Sequence, residues 1–64
     1  MLYEIVIAGY IKETRFEGFT LMKQPDFSTK LRGKIADQSA LYGILRMIND
    51  LGLELISVNR VKDK

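Results

Sequence analysis

The sequence predicts an α+β domain in which a four-stranded antiparallel sheet carries one main helix, in the chain order strand, turn, strand, strand, helix, strand. Three observations predict it. Asp37 to Val58, DQSALYGILRMINDLGLELISV, reads as a capped helix running directly into a strand. Leu2 to Ile11 is rich in β-branched and aromatic residues with both parities mostly apolar, the pattern of a strand inside a sheet and covered on both faces. Ser28 to Ile35 alternates polar with mostly apolar residues, as a strand with one wet side does.

In chain order, Ile5, Val6, Ile7, Tyr10 and Ile11 favour extended backbone in the first strand, and Glu4 marks one side as wet near its start. Lys12 to Gly18 mixes charges with Phe16 in too few residues for a helix of ordinary length. It is read as a connection with at most one helical turn. Phe19 to Gln24 resumes a short strand, and Pro25-Asp26 turns the chain, because proline fixes φ and aspartate bonds to nearby backbone. The second arm of this hairpin, Ser28 to Ile35, sets Ser28, Lys30, Arg32 and Lys34 on one side and Thr29, Leu31, Gly33 and Ile35 on the other.

Asp37 is suited to cap the helix, since its carboxylate accepts from the free amides of the first turn and meets the positive end of the helix dipole. Leu41, Ile44, Leu45, Ile48 and Leu51 recur at helical spacing and form a core stripe, while Arg46, Asn49 and Asp50 fall elsewhere. Gly52 suits the left-handed residue that ends a helix, with Leu53 reaching back to Ile48. Leu53 to Val61 is the last strand, and Lys62, Asp63 and Lys64 form a polar tail expected to fray.

The helix joins the third strand to the fourth. If these are parallel with the first strand between them, the sheet order becomes 4-1-3-2, a degenerate ferredoxin-like fold whose first helix has shrunk to a turn. A plain meander of three strands followed by helix and strand is the rival. The two-sided apolarity of the first strand favours the former, because it places that strand in the sheet interior.

At 64 residues the chain is read as one domain, residues 1–64, near the size at which burial alone barely offsets chain entropy. The absence of Cys and His excludes a disulfide framework, a thiolate nucleophile, an imidazole base and the commonest metal ligands. No metal or other cofactor is expected. Glu4, Glu13, Glu17, Asp37, Asp50 and Glu54 supply carboxylates, yet none forms a recognisable pair beside a nucleophile, so no catalytic residue is assigned and the protein is read as a non-enzyme. The apolar start MLYEIVIAGYI is interrupted by Glu4 and too short to span a bilayer. A cytoplasmic protein with no membrane association is expected.

Residues 37–45, DQSALYGIL, followed by DLGL at 50–53 and LISV at 55–58, resemble a family of very short uncharacterised bacterial proteins with a DQxALxGLL…DLGLxLxSV pattern. The resemblance covers the C-terminal half well and the first strand loosely. That family often has histidine where this chain has Tyr42, and a Trp-rich connection where this chain has Thr14-Arg15-Phe16-Glu17-Gly18-Phe19. The resemblance supports the fold and implies no chemistry.

Candidate sites are therefore surfaces. Asp37-Gln38-Ser39 at the helix start is read as a cap rather than an anion site, since its own acid takes the anion's place. Tyr42 lies one residue off the core stripe and is read as half-buried; Met22 and Met47 are read as gap-fillers. Lys30, Arg32 and Lys34 on one side of a strand could follow a phosphate backbone, with Tyr3, Tyr10 or Phe19 stacking bases. The net charge of +2 is small and no RNP-like run of glycine and aromatics occurs, so nucleic acid is the alternative. The main expectation comes from the sheet: one helix cannot cover both sides, and Val6, Ala8, Met22, Ile56 and Val58 are expected to line the second. An interaction module that forms a homodimer through that face, or binds a further protein there, is expected.

Overall fold

The computed structural model describes residues 1–11, 16 and 18–62. Lys12 to Arg15, Glu17, Asp63 and Lys64 lie outside it, and with them the helical turn expected in the connection and the frayed tail. The elements are β1 (Leu2–Ala8), β2 (Thr20–Lys23), β3 (Ser28–Lys34), α1 (Gln38–Asp50) and β4 (Leu55–Val61). The α+β reading holds: all four strands form one antiparallel sheet, with one helix. The order across the sheet, β2-β3-β1-β4, differs from the order along the chain. Because β3 and β4 both run antiparallel to β1, which lies between them, they are parallel to one another and α1 links them.

β1 stops three residues short of the expected Ile11. Gly9 adopts φ +85 and turns the chain out of the sheet, its N–H bonding to the Phe27 carbonyl at 2.6 Å and its carbonyl accepting from Thr29 Oγ1 at 2.7 Å. These bonds satisfy the buried Thr29 hydroxyl and close the end of the sheet. Ile11 lies beyond the strand and still packs on the core. At the far end, Ile35 donates to the Met1 carbonyl and accepts from the Met1 ammonium, at 2.6 and 2.9 Å.

Between β2 and β3 the chain turns at Pro25-Asp26, and the Asp26 carboxylate accepts from the Ser28 amide and hydroxyl at 3.2 and 2.5 Å. The helix is capped as its sequence requires. Asp37 Oδ1 accepts from the Ala40 amide at 2.8 Å. At the other end Gly52 has φ +74, its N–H reaches the Asn49 carbonyl at 3.0 Å and that of Leu53 reaches Ile48 at 3.1 Å. That pair of bonds is a Schellman motif.

The core lies between sheet and helix. Ile5, Ile7, Leu31, Ile48 and Phe16 form its buried centre, with Leu41, Ile44, Leu45, Met47, Leu51 and Leu53 packed against it. Burying each large aliphatic side chain contributes about 1.5–3 kcal/mol. The Phe16 side chain is 3% exposed within the same cluster as Ile48, on the helix side of the sheet. The expectation that β1 is covered on both faces is corrected accordingly: Ile5 and Ile7 are fully buried, whereas Glu4, Val6 and Ala8 on the opposite parity are only partly so. Among the described residues nothing crosses that second side.

Candidate interaction face

Strand register assembles the face that the helix leaves open, since residues directly opposite in neighbouring strands point to the same side. Thr20, Arg32, Glu4 and Asn59 form one row across the sheet, and Met22, Lys30, Val6 and Ser57 the next. Lys34, Leu2 and Val61 make a third row, and Ser28 stands opposite Ala8 at the end. Charge is segregated: β3 supplies the cations, whereas the β1 and β4 part is apolar or uncharged apart from Glu4.

Lys30, Arg32 and Lys34 do project from one side of β3, but that strand is interior, between β2 and β1. Glu4 lies among them, 3.8 Å from Lys30 Nζ and 3.6 Å from an Arg32 nitrogen. With Arg32 half exposed and Lys30 a third exposed, these pairs are screened and together contribute on the order of 1 kcal/mol or less. Their main effect is to halve the net positive charge at the centre of the face. From sequence Glu4 showed only that one side was wet, because its cationic partners sit on a strand whose register composition does not reveal.

The aromatics proposed to stack bases are elsewhere. Tyr3 stands opposite Gly33 and Arg60 on the helix side, and the Phe19 ring lies against Gly33 on that same side. Tyr10 belongs to a separate group at the sheet end: its ring is 5.4 Å from that of Phe27, Lys23 Nζ is 5.4 Å from its centre, and its hydroxyl donates to the Gln24 carbonyl at 2.6 Å. Phe27, 72% exposed and held at φ +63, was not singled out in the sequence. The signal was its place just after a Pro-Asp turn, where a left-handed residue is common and glycine or asparagine is usual.

Of the five residues expected to line the second face, Val6, Ala8 and Met22 share it. Ile56 does not sit in a regular pair: Val6 is opposite Ser57 and Ile7 opposite Leu55, leaving Ile56 as the extra residue of a β-bulge, 54% exposed. Val58 is corrected to the helix side, because it stands opposite the buried Ile5 and packs on the core. The sequence could not set this phase, since Leu55, Ile56 and Val58 are apolar on both parities. Tyr42 is more exposed than expected, at 62%, because it lies clear of the buried stripe. Met47 fills the core as expected, while Met22 is on the open face.

Among the described residues no three His, Cys, Asp or Glu side chains gather where they could hold a metal ion, and no helix is long and apolar enough to cross a membrane. No curated protein and no solved structure matches the chain. Residues 2–59 match a family described as a domain of unknown function (DUF8691), a span that takes in all of β1 to α1 and most of β4; the chain belongs to that family.

Proposed function

We propose that the protein is a small cytoplasmic, non-enzymatic interaction module that self-associates on the sheet side its helix leaves open. The observation that carries this reading is that Phe16 is buried in the same core cluster as Ile48 of α1, so that its side chain does not cover the open side. Leu2, Val6, Ala8, Met22 and Val61 are left partly covered or exposed beside a polar row. A chain of this size gains from covering such residues with a partner, and a second copy is the commonest one. Architecture supports the reading by analogy: the parallel pair β3 and β4, joined by a helix across β1, fits a degenerate ferredoxin-like fold. The test is sedimentation equilibrium across low to high micromolar protein. A dimer is expected at the upper end; a monomer throughout refutes the proposal.

A second reading, single-stranded nucleic acid on the same face, draws on the shared side of Lys30, Arg32 and Lys34. Glu4 in their midst and the position of Tyr3 and Phe19 on the other side weigh against it. It requires an affinity for a labelled oligonucleotide that falls with salt and with alanine at all three cations; no binding at low salt removes it.

A further inference from the structure

We infer that the two copies close around a doubly charged oxyanion of the phosphate class, held between them by Lys30 and Arg32 of each. This rests on the self-association proposed above and names what that contact requires. β3 and β1 are the two inner strands of the sheet, and the rows of Glu4 and Val6 are the middle two on the open face. Lys30, Arg32 and Glu4 therefore stand at its centre. A group at the centre of a patch meets its own copy across a two-fold contact, whether the axis runs along the strands or across them. At a sheet separation of about 10 Å, the cations of the two copies then lie within a Debye length of one another.

The charges at this centre do not cancel. In each copy Glu4 approaches both Lys30 and Arg32, at 3.8 and 3.6 Å, so one positive charge per copy is left over and two in the closed pair. In the single chain water screens this excess, because Arg32 is half exposed and Lys30 a third exposed. A partner sheet removes the water, and an unbalanced buried charge is costly unless an opposite charge joins it. The rows supply none: Glu4 is the only acid among their described residues, while Asp26 and Glu54 lie beyond the last row, next to Ser28 and Ala8. Lys34, at the other end of β3 and exposed, keeps its ammonium in water at the rim. A dianion matches the residual charge of the centre. Its oxygens suit the Arg32 forks and the Lys30 ammonium groups, which bind oxyanions through charge-assisted hydrogen bonds. Anion binding and dimerisation are thereby coupled, each strengthening the other by the same factor.

The test is sedimentation equilibrium in inorganic phosphate at about pH 8, where it is doubly charged, against sodium chloride at equal ionic strength. Phosphate at about ten times its dissociation constant is expected to tighten dimerisation about tenfold. Lys30→Gln leaves Arg32 and Glu4 balanced in each copy, so this variant is expected to dimerise as well in chloride as in phosphate. Glu4→Gln raises the excess and is expected to weaken the dimer in chloride and to enlarge the effect of phosphate. Both side chains are partly exposed, and circular dichroism checks that the variants keep the fold. A dimer equally tight in the two salts, or a Lys30→Gln variant that responds to phosphate as the wild type does, refutes the shared anion and leaves self-association standing. A monomer in both salts refutes this inference and the proposed function together. A labelled oligonucleotide that binds at low salt and holds the protein as a monomer assigns the cations to nucleic acid and overturns the inference as well.

Discussion

The ring of Phe19 occupies the space that a side chain on Gly33 would need. A Cβ built on Gly33 falls 2.7 Å from Phe19 Cδ2 and 2.9 Å from Cγ, with the Gly18 carbonyl oxygen at 3.0 Å. Gly33 sits in β3, where alanine would ordinarily be preferred by about 0.5–1 kcal/mol for its lower backbone entropy. Here the close approach reverses that sign. Gly33→Ala is expected to destabilise the fold by about 1–3 kcal/mol in urea unfolding, and Phe19→Leu in the same chain to recover part of the loss. Equal stability of Gly33→Ala and wild type would show that the ring moves aside freely.

Gly52 makes the opposite case. Nothing lies within 4 Å of a Cβ there, but its φ of +74 is left-handed. Gly52→Ala is expected to cost about 1–2 kcal/mol through backbone strain alone, and Gly52→Asn less, because asparagine tolerates this conformation. If alanine and asparagine behave alike, strain is not the cause. Thermal unfolding followed by circular dichroism separates the two.

Ile48 is 1% exposed and is the buried anchor of α1. Truncating it to alanine is expected to cost about 2–5 kcal/mol, comparable with the whole stability expected of so small a domain, about 0.05–0.15 kcal/mol per residue. Ile48→Ala should therefore lose most of its cooperative thermal transition at room temperature. Retention of a wild-type melting curve would mean that the sheet does not depend on the helix.

At the helix start, Asp37→Ala removes the bond to the Ala40 amide and is expected to cost about 1 kcal/mol, while Asp37→Asn keeps a capping oxygen and most of that stability. Chemical denaturation of both variants checks this. A loss as large for asparagine as for alanine would assign the effect to charge rather than to the cap bond.

Local signals carried α1 almost whole. Asp37, the stripe from Leu41 to Leu51 and the Gly52-Leu53 stop act through bonds only a few residues apart, so adjacent sequence contains both partners. The hairpin was legible for the same reason, through Pro25-Asp26. The candidate face was legible in part: the alternation of β3 put Lys30, Arg32 and Lys34 on one side, but could not say that Glu4 would lie among them.

What the sequence by itself determined was the set of elements, the caps that bound the helix and the parity of β3, because each depends on short-range bonding and on periodicity. Tertiary structure alone decided that Phe16 goes beneath the helix, that Val58 faces the core, and that Tyr3 and Phe19 lie away from the cations. Those outcomes depend on the register between strands far apart in the chain and on one bulge at Ile56. In a strand apolar on both parities, a one-residue shift exchanges its two faces without changing its composition.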